Sequence, residues 1–157
     1  MIIEHFQGEY PSINATKELN KSIKENKYIK IFLISGNDIR KFAMEKLKNS
    51  NSPAIYTNLL ISNSKQSDAK LLTSLATKCK SEDTIHDFVF SYIEIYKVNK
   101  TRECKAPLEA IYDKLTCGIH RNDIVKILLE NKVLSKKIRQ EIKYDSSEET
   151  RRLSNEK

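Results

Sequence analysis

One stretch near the middle of the chain constrains the fold more than any other, because apolar residues recur there at helical spacing. They stand at positions i, i+3, i+4, i+7, i+8 and i+11, and are Ile85, Phe88, Val89, Tyr92, Ile93 and Tyr96. This period places all of them on one face of an α-helix. Ser81 offers an N-cap oxygen, and Glu82 and Asp83 put negative charge at the positive end of the helix dipole. The pattern predicts a helix that packs against others.

Further stripes of the same period predict helices before and after this one. They cover 38–48, 54–61, 68–79, a helix opened by Pro107 and ended by Cys117-Gly118, 122–131, and a last helix carrying Leu134, Ile138 and Ile142. Residues 2–6 are short and β-prone, and residues 28–34 fit a buried strand or a buried helix equally well. With only three Gly and three Pro, the composition favours packed helices over a β-sandwich. We expect a mainly α fold with a short N-terminal extended segment.

The domain organisation is predicted from two polar stretches. Ser62–Ser67 is entirely polar and marks a boundary between two helical units, 1–62 and 63–143. From Tyr144 onward the chain is polar, and Leu153 is its only aliphatic residue. Such a segment has little apolar surface with which to hold itself to a core. We therefore expect residues 144–157 to form a disordered tail.

Charge and cysteine content restrict the environment and the partners. A formal charge of +7 and a pI near 9.2 favour an anionic partner, although the cations are spread along the chain. Cys79, Cys104 and Cys117 are far apart and form no C-x-x-C pair, which is typical of a reducing, intracellular compartment. The longest apolar run, Ile31–Ile34, is far too short to span a membrane. We expect no membrane partner.

The sequence offers no catalytic or metal-binding constellation. It contains no G-x-x-x-x-G-K-[ST] loop that could cradle a nucleotide phosphate. His5, His86 and His120 lie on separate predicted elements without metal-ligand spacing, and we expect His86 and His120 at the surface. The chain is therefore predicted not to be an enzyme in its own right, and to show no ATPase activity.

Residues Ser35–Lys41 combine a helix start with a cation in the first turn. Asn37 or Asp38 can cap the helix, and an apolar stripe follows at Ile39, Phe42, Ala43 and Leu47. This spacing places Arg40 on the face opposite the core. Because a cation is disfavoured at the positive end of a helix, Arg40 is either simply solvated or positioned to meet an anion such as phosphate. Both readings stay open on these residues alone.

Read in order, these pieces resemble the replication factor C small subunits, which are AAA+ loaders of DNA sliding clamps. Ser35–Lys41 is similar to that family's S-x-G-D-[hydrophobic]-R-[K/R] signature, with Asn37 at the usual Gly, and Phe42 stands at the usual Ala. The family's short strand, Pro-Ser-type turn and following helix correspond to 2–6, Pro11-Ser12-Ile13 and 14–25. The resemblance implies that 28–34 is helical.

The second half resembles the family's helical collar. Leu108–Leu115, the turn Cys117-Gly118-Ile119 and Asp123–Leu129 are similar to its paired collar helices. The likeness is nearest to subunits whose collar reads L-Y-[DE]-L-L before a Cys-Ile-Pro turn. The resemblance covers residues 1–143, with a shorter stretch before Ser35 and a longer segment between the halves than the family has.

The resemblance implies an AAA+ lid-like unit over 1–62 and a collar-like unit over 63–143, without an ATPase core. Neither Walker motif, nor sensor 1, nor the Ser-Arg-Cys motif is found in the sequence. The implied function is that of a non-catalytic subunit or remnant of a clamp loader in DNA replication, nuclear if eukaryotic. Its partners would be the other loader subunits, and it would reach the sliding clamp and DNA indirectly. Arg40 would be a sensor-2-like phosphate contact, and ATP would come only through a partner core, with no cofactor bound by the chain alone.

Two alternatives from other classes remain. In the first, the protein is a small intracellular α-helical adaptor, and every stripe is simply core. In the second, it is a basic nucleic-acid-binding helical domain that docks through 119–129 and the cations Arg121, Lys126 and Lys132. Some apolar residues lie beside the main stripes, and we expect them to meet a partner: Phe90, Ile95, Val125 and Leu129.

Overall fold

The computed structural model describes residues 36–50 and 53–156, and in these ranges the fold is mainly helical, as predicted. The α-helices are α1 (Asn37–Asn49), α2 (Ala54–Thr57), α3 (Ala69–Lys78), α4 (Glu82–Val98), α5 (Lys105–Tyr112), α6 (Gly118–Glu130), α7 (Lys136–Glu141) and α8 (Glu148–Arg152). Short 3₁₀ turns occupy Asn58–Leu60, Gln66–Asp68, Arg102–Cys104, Ile142–Tyr144 and Leu153–Asn155. Neither a strand nor a helix long and apolar enough to cross a membrane occurs in these ranges. The predictions for 2–6, 14–25 and 28–34 lie outside them.

The chain divides into two compact units, 1–64 and 65–157. The division falls inside the polar stretch Ser62–Ser67 in which the sequence analysis places a boundary. In the first unit, α1 buries Ile39, Ala43 and Leu47, which belong to its predicted stripe. The Phe42 ring is half-buried and meets the Tyr56 ring edge-on, with 6.0 Å between the ring centroids.

The start of α1 differs from the prediction. Its N-cap is Gly36, and no side chain caps the helix, so that neither Asn37 nor Asp38 takes this role. Gly36 has φ 155° and ψ 155°, a backbone region that is essentially restricted to glycine. An added Cβ would meet nothing within 4 Å, so backbone conformation alone selects the residue. With Gly36 as the N-cap, the helix begins at Asn37, one residue earlier than a cap at Asn37 would place it.

The second unit is built around α4, whose predicted stripe is entirely buried. Ser81 caps this helix as predicted, since its Oγ accepts from the backbone N–H of Thr84 at 3.3 Å. Within the unit α3 packs against α5, α4 against α6, and α8 against α6. The buried hydroxyl of Tyr92 donates to the carbonyl oxygen of Leu72 at 2.6 Å and ties α4 to α3.

The helix that was predicted to open at Pro107 begins earlier. Thr101 accepts from the N–H of Glu103 and starts a 3₁₀ turn that leads into α5 at Lys105. Pro107 is the third residue of α5, where the N–H that proline lacks would have no intrahelical partner. The helix ends at Tyr112, and Gly118 begins α6 rather than ending α5.

Two apolar residues expected to meet a partner are part of the core. Ile95 and Val125 are completely buried, because α4 and α6 are covered on more than one side. Leu129 is half-buried, and Phe90 is 49% exposed. Packing inside the unit therefore accounts for Ile95 and Val125, whereas Phe90 stays partly exposed.

The prediction of a disordered tail over 144–157 is wrong for the described residues of that segment. Ser147 caps α8 by accepting from the N–H of Thr150, and Thr150 and Leu153 are buried. The amide of Asn122 on α6 donates to the Thr150 hydroxyl at 3.0 Å inside the core. Polar contacts, which a count of apolar residues does not register, hold this segment to the bundle.

Candidate functional site

Arg40 lies in the first turn of α1, where the sequence analysis places it, and its side chain is half-buried. Its Nη1 donates to the backbone oxygen of Asn63 at 2.7 Å. The side chain of Asn63 accepts from the N–H of Gly36 at 2.8 Å and donates to the carbonyl of Leu59 at 2.8 Å. Arg40 therefore helps to fasten the start of α1 to the turn after Leu60. A contact between Arg40 and a nucleotide phosphate stays a prediction.

Arg121 is the centre of a polar cluster in the second unit. Its Nη2 donates to the Tyr112 hydroxyl and to Glu141 Oε1, both at 2.6 Å, and its Nε donates to Asp145 Oδ2 at 3.3 Å. The guanidinium also lies over the Tyr112 ring, 4.2 Å from its centroid. Burial lowers the pKa of Arg121, but the hydrogen bond that it donates to Glu141 and the nearby charges raise the pKa above its usual value. Burial raises the pKa of Tyr112 to about 12.

Beside this cluster is a cavity of about 460 Å³, which we name the α6 cavity. Gly118, the first residue of α6, lines it together with Arg121, and the opposite lining includes Glu141, Tyr144 and Ser146. The volume is within the range of small-molecule and peptide-side-chain pockets. The segment after α7, which the sequence analysis treats as a loose tail, supplies one wall.

One large apolar side chain that lines the α6 cavity is exposed, and a second one follows a lining residue in the sequence. Tyr144, which lines it, is 88% exposed, and Ile119, which follows the lining residue Gly118, is 75% exposed. Burying a large apolar side chain that would otherwise be exposed stabilises a fold or a complex by about 1.5–3 kcal/mol. An exposed tyrosine at a cavity that is lined by an arginine matches the residue types enriched in protein-binding hot spots, and Ile119 adds exposed apolar surface one residue after Gly118. Sequence periodicity does not identify this surface, because Ile119 and Tyr144 belong to no stripe.

The structure brings together His86 and His120, which the sequence analysis treats as unrelated surface residues. Their ring centroids are 5.2 Å apart with an interplanar angle of 65°. Burial, and then the neighbouring His86, hold the pKa of His120 below its usual 6.5, while Asp123 opposes this shift. His120 Nδ1 is buried and has no hydrogen-bond partner among the residues that the structure describes. No group of three or more potential metal ligands occurs in the described ranges.

The cations of the nucleic-acid alternative are placed in different surroundings. Arg121 is held by Glu141 and Asp145, and Lys126 Nζ is 2.6 Å from Glu149 Oε1. Their charges are thus balanced within the protein. Lys132 is exposed and makes no ion pair in the part of the chain that the structure describes.

No protein-family model matches the chain, and no curated protein or solved structure matches it either.

Proposed function

We propose that this protein is a non-catalytic assembly subunit whose second unit binds other subunits of a replication factor C-like clamp loader in DNA replication. The observation that carries the assembly role is the exposure of Tyr144 at the α6 cavity and of Ile119, the residue after the lining residue Gly118. The resemblance of 108–129 to paired collar helices supports the choice of partner, because collar domains associate side by side in a ring.

The location of this surface favours association through the start of α6. Most large apolar side chains of the second unit are buried within it, including Ile95 of α4, which was expected to meet a partner, whereas Phe90 is 49% exposed. Ile119 and Tyr144 remain exposed, and the Arg121 cluster fixes the backbone on both sides of the cavity by joining Tyr112 to Glu141 and Asp145. A partner side chain that enters the cavity would meet a wall that is already ordered, which reduces the entropic cost of binding.

Arg40 has a secondary place in this proposal. Its position in the first turn of α1 suits an anion, yet its guanidinium already donates to the carbonyl of Asn63. A phosphate from a partner's nucleotide would therefore have to share or replace that contact. The proposed assembly through the second unit does not depend on this step.

The proposal is tested by co-expressing the full chain with the replication factor C small subunits of the same organism and measuring co-elution by size-exclusion chromatography. The double variant Ile119→Glu/Tyr144→Glu puts charge on the proposed surface. Loss of two buried side chains at about 1.5 kcal/mol each or more weakens binding by about 100-fold or more. Val98→Glu is the matched control, because Val98 is 61% exposed at the end of α4 and does not line the cavity.

We expect the wild type and Val98→Glu to co-elute with the loader subunits, and the double variant to elute alone with unchanged helix content. If the wild type does not co-elute, the clamp-loader assignment is wrong and the adaptor reading takes its place. If the double variant still co-elutes, the α6 cavity is not the assembly surface.

A further inference from the structure

The net positive charge of the second unit is concentrated in one short segment. Residues 65–157 carry 19 cationic and 15 acidic residues. Segment 132–143, which contains α7, carries five of these cations and only Glu141 as an acid, so the remainder of the unit has 14 of each. We name residues 132–143 the basic segment. It accounts for the whole excess charge of the unit.

Only part of this charge is used within the protein. Lys137 Nζ lies 2.7 Å from Asp113 Oδ1, and Arg139 donates to the backbone oxygen of Ser154 at 2.9 Å. Lys132, Lys136 and Lys143 are exposed, and none of them has an ion-pair partner among the described residues. Three lysines are therefore available to an external anion.

The helical register aligns two of these lysines. Lys136 and Lys143 are seven residues apart, which places them on the same side of the helical segment about two turns apart. Gln140 lies between them on that side and is also exposed. At about 1.5 Å per residue the two lysines are separated by about 10 Å along the helix. A DNA duplex carries about six phosphate charges over that length, so each lysine can meet a different phosphate.

The same segment is poorly suited to a lipid surface. A helix that lies on a membrane needs an apolar face directed at the acyl chains. The aliphatic residues of this helical segment, Ile138 and Ile142, are buried in the core of the unit. The face opposite the core therefore offers lysine and glutamine, which suit a phosphate backbone rather than a bilayer.

We propose that the basic segment binds the phosphate backbone of nucleic acid directly and without sequence preference, through Lys132, Lys136 and Lys143. This contact shares Lys132 with the nucleic-acid alternative described above, but it uses Lys136 and Lys143 in place of Arg121 and Lys126, which are held in ion pairs. It uses other side chains than the proposed assembly role, which depends on Ile119 and Tyr144.

The test measures binding of the full chain to a fluorescein-labelled 30-base-pair DNA duplex by fluorescence anisotropy, at salt concentrations from 50 to 200 mM. The variant Lys132→Asn/Lys136→Gln/Lys143→Gln removes three charges. Because each phosphate contact contributes about 0.9 to the slope of log K against log salt, the slope should become shallower by about 2.7. Raising the salt concentration fourfold should then weaken DNA binding by the wild type about 40-fold more than DNA binding by the variant.

The matched control is Lys70→Gln/Lys78→Gln/Lys80→Gln. These lysines are also exposed and unpaired in the described structure, but Asp68, Glu82 and Asp83 balance them nearby in the sequence. We expect this control to keep most of the wild-type affinity and salt slope. Absence of duplex binding by the wild type at 50 mM salt would overturn the proposal, as would equal losses in the two triple variants. Co-sedimentation with phosphatidylserine vesicles without DNA binding would also overturn it.

Discussion

Lys114 contacts the end of α3, and replacing it tests whether this contact stabilises the second unit. Its Nζ donates to three backbone carbonyls at the end of α3: Ala76 at 2.9 Å, Thr77 at 2.6 Å and Cys79 at 2.6 Å. The last carbonyls of a helix have no intrahelical donor and lie at the negative end of its dipole. A single ammonium group, coming from the segment between α5 and α6, therefore satisfies the end of α3.

Replacing Lys114 by Met keeps the apolar stem and removes only the charged head. A hydrogen bond to a charged group contributes about 1.5–3 kcal/mol, and a cation at a helix C-terminus contributes about 0.3–1 kcal/mol. Water can reach the carbonyl of Thr77, whose bond with Lys114 is exposed, whereas the bonds to Ala76 and Cys79 are partly buried. We therefore expect Lys114→Met to lower the free energy of unfolding by about 2 kcal/mol.

Urea denaturation followed by circular dichroism at 222 nm measures this change. With a slope of about 2 kcal/mol per molar urea, the midpoint should fall by about 1 M. Lys70→Met is the matched control, because Lys70 is an exposed lysine of α3 without an ion pair among the described residues, and its midpoint should move little. If the two variants lose the same stability, water replaces Lys114 at these carbonyls and the reasoning is refuted.

Two further predictions concern His120 and Thr150. Because the pKa of His120 is lowered in the folded state, the unfolded chain takes up a proton first as the pH falls below 6.5. The contribution of the neutral His120 to the free energy of unfolding should be full above pH 6.5 and should fall as the pH drops toward the lowered pKa. Between pH 7.5 and 5.5 the urea midpoint should therefore decline less in His120→Gln than in the wild type. Thr150→Val removes the acceptor of the buried Asn122 amide and should lower the free energy of unfolding by about 1–3 kcal/mol. It should also speed proteolysis after residue 144. Proteolytic resistance equal to that of the wild type would show that this bond does not hold α8.

The helix α4 is predictable from the sequence because independent signals agree there. The Ser81 cap, the first-turn acids and the apolar stripe all point to a helix that starts at Glu82, which is where it starts. The beginning of α5 is less predictable, because proline is tolerated at any of the first few positions and Pro107 takes the third. Likewise, the preference of glycine for the C-terminal ends of helices predicts that Gly118 ends α5, but Gly118 begins α6.

Contacts between residues distant in sequence could not be predicted from local pattern. The His86–His120 pair joins α4 to α6, and Lys114 reaches carbonyls more than thirty residues earlier in the chain. Neither pair has a periodic signature, since each depends on how helices pack. The description of the cations as spread along the chain is wrong for the second unit, because five of them within 132–143 carry its whole excess charge. Only the structure separates the engaged cations of this segment from the exposed ones.

The error about the tail and the failure to foresee the α6 cavity have one cause. Both come from judging residues after Tyr144 by their apolar content, whereas Arg121, Asn122 and Lys126 of α6 hold this segment through Asp145, Thr150 and Glu149. Because that segment forms one wall of the cavity, the polar contacts that order it also shape the surface on which the proposed assembly depends. Weakening Asn122–Thr150 should therefore loosen the cavity wall and reduce subunit binding without altering Ile119. The lysines of the basic segment do not line the cavity, and Ile138 and Ile142 bury this segment in the core without the Asn122–Thr150 bond, so its binding to DNA should persist.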